Sequence, residues 1–130
     1  MEFQKIALAG VAALALIAGC HSGKTPQRTA QDVEAAQQEA QREVERARAE
    51  ASKDLKSAAK VGSSPRGVAQ AKAEGAYDIA MVKADGEHNV ATEKCLTLQA
   101  PLQQACKDGA DAEYETAKAA AKATRVARQP

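Results

Sequence analysis

The chain has 130 residues, a formal net charge of +1, two tyrosines, one phenylalanine and no tryptophan. That balance gives no net attraction to nucleic acid, and no basic cluster is interleaved with aromatic residues. From His21 onward, Val, Ile, Leu and Met number 13 among 110 residues while Ala supplies 26. This is too little large apolar surface to offset a chain entropy of roughly 1–2 kcal/mol per residue in a globular core, or to line a substrate pocket. No catalytic residues, cofactor or small-molecule substrate are therefore expected, and the chain is not expected to be an enzyme.

Lys5 precedes an uncharged run from Ile6 to Ala18, and small residues then lead to a cysteine in Ile17-Ala18-Gly19-Cys20. A charged start, an apolar stretch and a small-residue cleavage site are the layout of a secretory signal peptide. The run is shorter than the roughly 20 residues a membrane-spanning helix needs. The four residues resemble the bacterial lipobox, in which cleavage before the cysteine leaves a lipidated N-terminus. The resemblance implies removal of residues 1–19 by cleavage between Gly19 and Cys20, acylation of Cys20, and attachment to the membrane through that anchor. Two acyl chains give stable attachment at about 0.8 kcal/mol per buried methylene. His21, rather than Asp, at the second mature position implies the outer membrane of a Gram-negative bacterium, facing the periplasm. Glu2 makes the start less basic than is usual in such leaders. Residues 20–28 then read as a polar tether.

A long charged amphipathic helix is expected over 29–61. Gln27 to Lys60 contains no Gly or Pro, and Thr29 with Asp32 resembles a capping box. Glu39/Arg42, Glu43/Arg46, Glu45/Arg48 and Glu50/Lys53 are opposite charges three residues apart, each worth a few tenths of a kcal/mol. Val61-Gly62-Ser63-Ser64-Pro65 should end this helix, with Gly62 at C′, Ser64 as the next N-cap and Pro65 at N1. The remainder, 62–130, reads as a helical hairpin of about 65–98 and 101–127, broken at Gln99-Ala100-Pro101 with Pro101 at N1. Acidic residues early in the last helix (Asp108, Asp111) and basic ones late (Arg125, Arg128) suit the helix dipole.

The apolar stripe has a period of eleven. Val33, Val44 and Leu55 repeat at that spacing, and so do Val68, Ile79 and Val90. Eleven residues over three turns give a nearly straight or slightly right-handed seam. Such a stripe is a candidate surface for self-association or for docking an envelope partner, although abundant alanine makes some periodic stripe inevitable. Tyr77 and Tyr114 sit in similar contexts, Ala-Glu-Gly-Ala-Tyr and Ala-Asp-Ala-Glu-Tyr, readable either as a degenerate repeat or as low complexity.

Cys95 and Cys106 lie symmetrically about the break between Ala100 and Pro101. Folding the chain there sets Cys95 opposite Cys106, Ala91 opposite Ala110, Ala84 opposite Ala117 and Ala80 opposite Ala121. Small residues along both stripes permit close helix approach, and an oxidising compartment favours a disulfide. Free or intermolecular thiols, a metal site with His88, and a redox module at Cys95/Cys106 stay as alternatives. The spacing fits no common zinc pattern, and Cys-x-x-Cys is absent. Residues 70 to 125 resemble small Ala-rich helical periplasmic proteins of Gram-negative bacteria.

The expected molecule is all-α, without β-sheet: long Ala-rich helices ending in an antiparallel hairpin closed by a disulfide. Its expected role is structural or interactive in the cell envelope. A periplasmic chaperone or envelope-stress protein is one alternative, and a metal- or redox-responsive module is the other. The major outer-membrane lipoprotein, which crosslinks to peptidoglycan, ends in Lys. Arg128-Gln129-Pro130 departs from that, which puts a covalent wall link in doubt and leaves non-covalent wall contact open.

Overall fold

Three helices form where proline and a hydroxyl residue punctuate an otherwise helix-favouring chain. The computed structural model describes residues 25–62 and 64–128. The signal-peptide and lipobox expectations, including Gly19 and Cys20, lie outside the described residues. Helix α1 spans Pro26–Lys60, α2 Pro65–Cys95 and α3 Ala100–Arg128. Among the described residues there is no strand, and no helix is long and apolar enough to cross a membrane.

The first boundary differs from the expected one. Thr25, not Thr29, is the N-cap of α1; its hydroxyl accepts from the Arg28 N–H at 3.3 Å, and Pro26 occupies N1. The start signal is therefore Thr-Pro, the same device as Ser64-Pro65, and residues 26–28 are helical rather than tether. Thr29 is buried within the first turns, and its hydroxyl donates to the Thr25 carbonyl at 3.1 Å. The α1–α2 turn follows expectation. Val61 is the C-cap, Gly62 takes φ +69°, and the Ser64 hydroxyl accepts from the Gly67 N–H at 3.3 Å. A left-handed residue at C′ satisfies orphan carbonyls and favours glycine.

The second break is also shifted. Helix α2 ends at Cys95 instead of continuing to 98, because its last carbonyls are captured three residues on. Backbone N–H groups of Leu96, Thr97 and Leu98 donate to Glu93, Lys94 and Cys95. The Thr97 hydroxyl adds a bond to the Lys94 carbonyl at 2.7 Å. From α3, the Gln103 amide donates to the Leu98 carbonyl at 2.9 Å. Helix α3 begins one residue early, at Ala100, which moves Pro101 to the second helical position, where its missing N–H is equally harmless.

Helix α1 packs on α2 and α2 on α3, while α1 and α3 do not pack on each other. The buried residues of α2 explain this. Gly75 and Gly86 face α1, where a Cβ would meet Ala51 and Ala40. Ala73, Ala84 and Cys95 are buried as well, and Cys95 is bonded to α3 through Cys106. Positions two apart on an α-helix point about 200° apart, so α2 carries two seams on opposite sides. The three helices consequently form an open layer, with α2 as its middle member.

Both seams repeat every eleven residues. On α1 the close-approach positions are Ala40 and Ala51, with buried Thr29 in the same phase. On α2 they are Gly75 and Gly86 toward α1, and Ala73, Ala84 and Cys95 on the α3 side. On α3 they are Ala110 and Ala121. Three turns nearly close after eleven residues, so the contact line runs along the helices without drifting off the face. Residues this small bury little area each, and the stabilisation comes from many short-range contacts that close backbone approach allows.

Candidate functional site

The disulfide and the groups below it on the α2–α3 seam form the only chemically distinctive cluster that the sequence singled out within the described residues. Cys95 and Cys106 are joined, with Cα atoms 5.5 Å apart. Cys95 is only 1 % exposed. The sequence-derived register holds along the seam: Ala84, Ala110 and Ala121 are buried, and Ala84, Ala91, Ala110 and Ala117 line one small cavity between the helices.

Below the disulfide a ladder of polar contacts crosses from α2 to α3. The His88 ring nitrogen Nε2 donates to the Asp111 carboxylate at 2.6 Å. The same ring stacks on Tyr114, with centroids 4.8 Å apart. The Tyr114 hydroxyl donates to Asp85 on α2. Lys118 Nζ lies 4.3 Å from the Tyr114 ring centroid and 2.5 Å from Glu115. A second rung lies toward the other end of the layer. Arg125 there stands 5.0 Å from the Tyr77 ring centroid and 3.8 Å from Glu74.

The two tyrosines have similar settings, although the cation over Tyr114 is Lys118 of its own helix and that over Tyr77 is Arg125 from across the seam. Each follows a buried alanine, Ala73 or Ala110, by one turn, and each carries a cation of α3 over its ring. Sequence reasoning noticed the likeness but not the cross-helix partners, because those depend on register between separate helices. Asp85 carried no signal of its own.

The hydrogen bond to Asp85 is the main cause that raises the Tyr114 pKa above the ordinary tyrosine value, reinforced by desolvation and the Asp85 charge. The Glu115 hydrogen bond likewise raises Lys118. A tyrosine pKa higher in the folded than in the unfolded state gives stability that is complete below the ordinary tyrosine range. It is lost as pH rises through the raised value. With Tyr77→Phe, absorbance titration reads Tyr114 alone, and its midpoint should lie above the ordinary value. Adding Asp85→Ala should bring it back down; an unchanged midpoint would show that Asp85 does not hold the phenol.

This arrangement presents no nucleophile with a base. Its sulfurs are bonded to each other, and the His88 nitrogen nearest a carboxylate is engaged with it. No group of three or more His, Cys, Asp or Glu is arranged to hold a metal ion among the described residues. The metal alternative at Cys95/His88/Cys106 is thus not assembled: the thiolates it needs are consumed in the disulfide, and His88 turns to Asp111.

The eleven-residue stripe lies along the contact between α1 and α2. Val33, Val44, Leu55, Val68, Ile79 and Val90 are all half-buried. Val44 and Val90 line the α1–α2 groove together with Ala40 and Gly86. Val44 and Leu55 each follow a close-approach alanine by four residues, and Ile79 and Val90 each follow a close-approach glycine by four. The α1 and α2 halves of the stripe belong to one seam, so the stripe is a half-buried groove lining rather than a fully exposed face. A second groove runs between α2 and α3, and Lys83 and Glu87 line both grooves. Their ion pair at 3.6 Å makes the ridge between them on one face of the layer. Compared with protein-family models, with characterised proteins and with solved structures, this chain matches none of them.

Proposed function

We propose that this chain is a lipid-anchored helical protein of a Gram-negative outer membrane, projecting into the periplasm with a structural or interactive, non-enzymatic role. The observation that carries the reading is the combination of the Ile17-Ala18-Gly19-Cys20 motif with a disulfide-stapled helical layer beginning at Pro26. The lipobox-like motif supplies the address, and the bonded cysteines suit an oxidising compartment. At 1.5 Å per residue, the longest helix reaches about 50 Å from the anchored end. A flat layer of that length suits spacing or bridging.

The chaperone alternative draws less support, since large apolar residues are few and the branched stripe is half-buried along the α1–α2 seam. The redox alternative draws less as well. Cys-x-x-Cys is absent, and Cys95 is sealed in the seam, which leaves only the half-buried Cys106 sulfur open to attack.

Expression of the full chain in a Gram-negative host tests the reading. The mature protein should begin at Cys20, carry the mass of diacylglycerol with or without a further acyl chain, and fractionate with the outer membrane. Cys20→Ala should leave it unacylated. A wild-type mature start elsewhere, without acyl mass, would overturn the proposal.

A further inference from the structure

The antiparallel register brings two separate parts of the chain to one end of the layer. Gly86 stands against Ala40 and Gly75 against Ala51. Continued by eleven residues, that register sets Thr29 near the level of Thr97. The start of α1 and the α2–α3 turn therefore share an end, while the Val61-Gly62 turn lies at the opposite one. Only four residues lie between Cys20 and Thr25, so five Cα-to-Cα steps give a covalent reach of at most about 17 Å. Neighbouring helix axes are about 8–10 Å apart, so an acyl anchor on Cys20 can lie no more than a few helix diameters from the turn.

That turn is apolar at its surface. Leu98 is 41 % and Leu102 56 % exposed, and Pro101 between them is exposed too. Lys94 and Lys107 flank the two bonded cysteines, and Arg28 lies on the first turn of α1. The nearby acidic groups are Glu93, Asp32 and Asp108, the last engaged by Gln104 at 2.8 Å. A leucine–proline tip with lysines one turn behind matches a membrane interface, where apolar side chains enter the headgroup boundary and lysines reach the phosphates. The disulfide fixes the tip, so little conformational entropy is lost on seating it.

We propose that the Leu98–Leu102 tip inserts into the headgroup region of the same bilayer that holds the Cys20 lipid, giving the protein a second membrane contact. This rests on the lipid-anchor reading above. The layer then stands on the membrane with the Val61 turn outermost, instead of swinging on its tether.

The absence of tryptophan makes the test direct. Acylated full-length Leu102→Trp and Val61→Trp are each reconstituted into vesicles of phosphatidylethanolamine and phosphatidylglycerol containing brominated acyl chains, and flotation establishes attachment. Leu102→Trp should shift to shorter emission wavelength and be quenched several-fold by the bromines, while Val61→Trp should behave as in water. Floating protein with both residues unquenched would overturn the tip contact and leave the anchor standing. Quenching at both ends would replace it with a layer lying flat. Protein that does not float would overturn the anchor itself. Leu98→Ser in the Leu102→Trp background, with helicity unchanged by circular dichroism, should reduce the quenching; unchanged quenching would count against the tip.

Discussion

Gly86→Leu should cost about 3 kcal/mol, the upper part of the range for overpacking a closely fitted interior. A Cβ at Gly86 would stand 2.6 Å from the Ala40 Cβ and 3.2 Å from its Cα. Neither atom is the end of a flexible side chain, so α1 itself must move. Gly86→Ala is the finer probe. Alanine favours the helix over glycine by about 1 kcal/mol, yet the clash should outweigh that gain and leave the variant less stable. Combining it with Ala40→Gly exchanges the small residue across the seam and should restore most of the lost stability. Gly109 lies in the interior of α3 with open space around it, and Gly109→Ala should stabilise by about 0.5–1 kcal/mol. Urea denaturation followed by circular dichroism measures all four. Stabilisation by Gly86→Ala equal to that by Gly109→Ala would mean that α1 does not pack at Gly86.

Loss of the disulfide should have an effect of similar size. Cys95 and Cys106 are eleven residues apart, and in the chain-entropy model closing so short a loop stabilises by about 3 kcal/mol. For a chain of this size that corresponds to a fall in Tm on the order of 10 °C. Cys95→Ala with Cys106→Ala is the suitable variant, because position 95 shares the phase of Ala73 and Ala84 and accepts alanine without strain. The loss should fall unevenly. Helix α3 buries only Ala110 and Ala121 and touches α2 alone, whereas α1 and α2 keep their own seam. Amide exchange should therefore quicken throughout α3 before it changes in α1. A Tm indifferent to reduction, or uniform acceleration across all three helices, would contradict this division. Without the staple, the Tyr114–Asp85 and Arg125–Glu74 contacts remain, but such partly exposed polar pairs contribute little.

Much of the molecule is written locally. The Gly-free, Pro-free stretch of α1, the Val61–Pro65 turn and the break near Pro101 are consequences of propensity and turn chemistry, which act over a few residues. Even the Cys95–Cys106 pairing follows from symmetry about a single turn, since a hairpin closed at a known point has one register. The misplacements were local too. Thr25-Pro26 outcompetes Thr29 as a start, and three-residue hydrogen bonds after Cys95 end α2 early.

What the residues alone determine is thus an all-helical chain with its turns and its sulfur pair in place. The stripe of eleven was visible through its branched members, but not what it packs against. Only the tertiary structure decides that Gly75 and Gly86 serve α1 while Ala73, Ala84 and Cys95 mark the side facing α3. It also makes Thr29 a seam residue and joins Tyr114 to Asp85. The physical reason is contrast. With alanine on nearly every face, no stripe stands out by hydrophobicity, and a contact face is fixed by how closely two backbones can approach. That is a property of a pair of helices, carried by neither sequence segment alone.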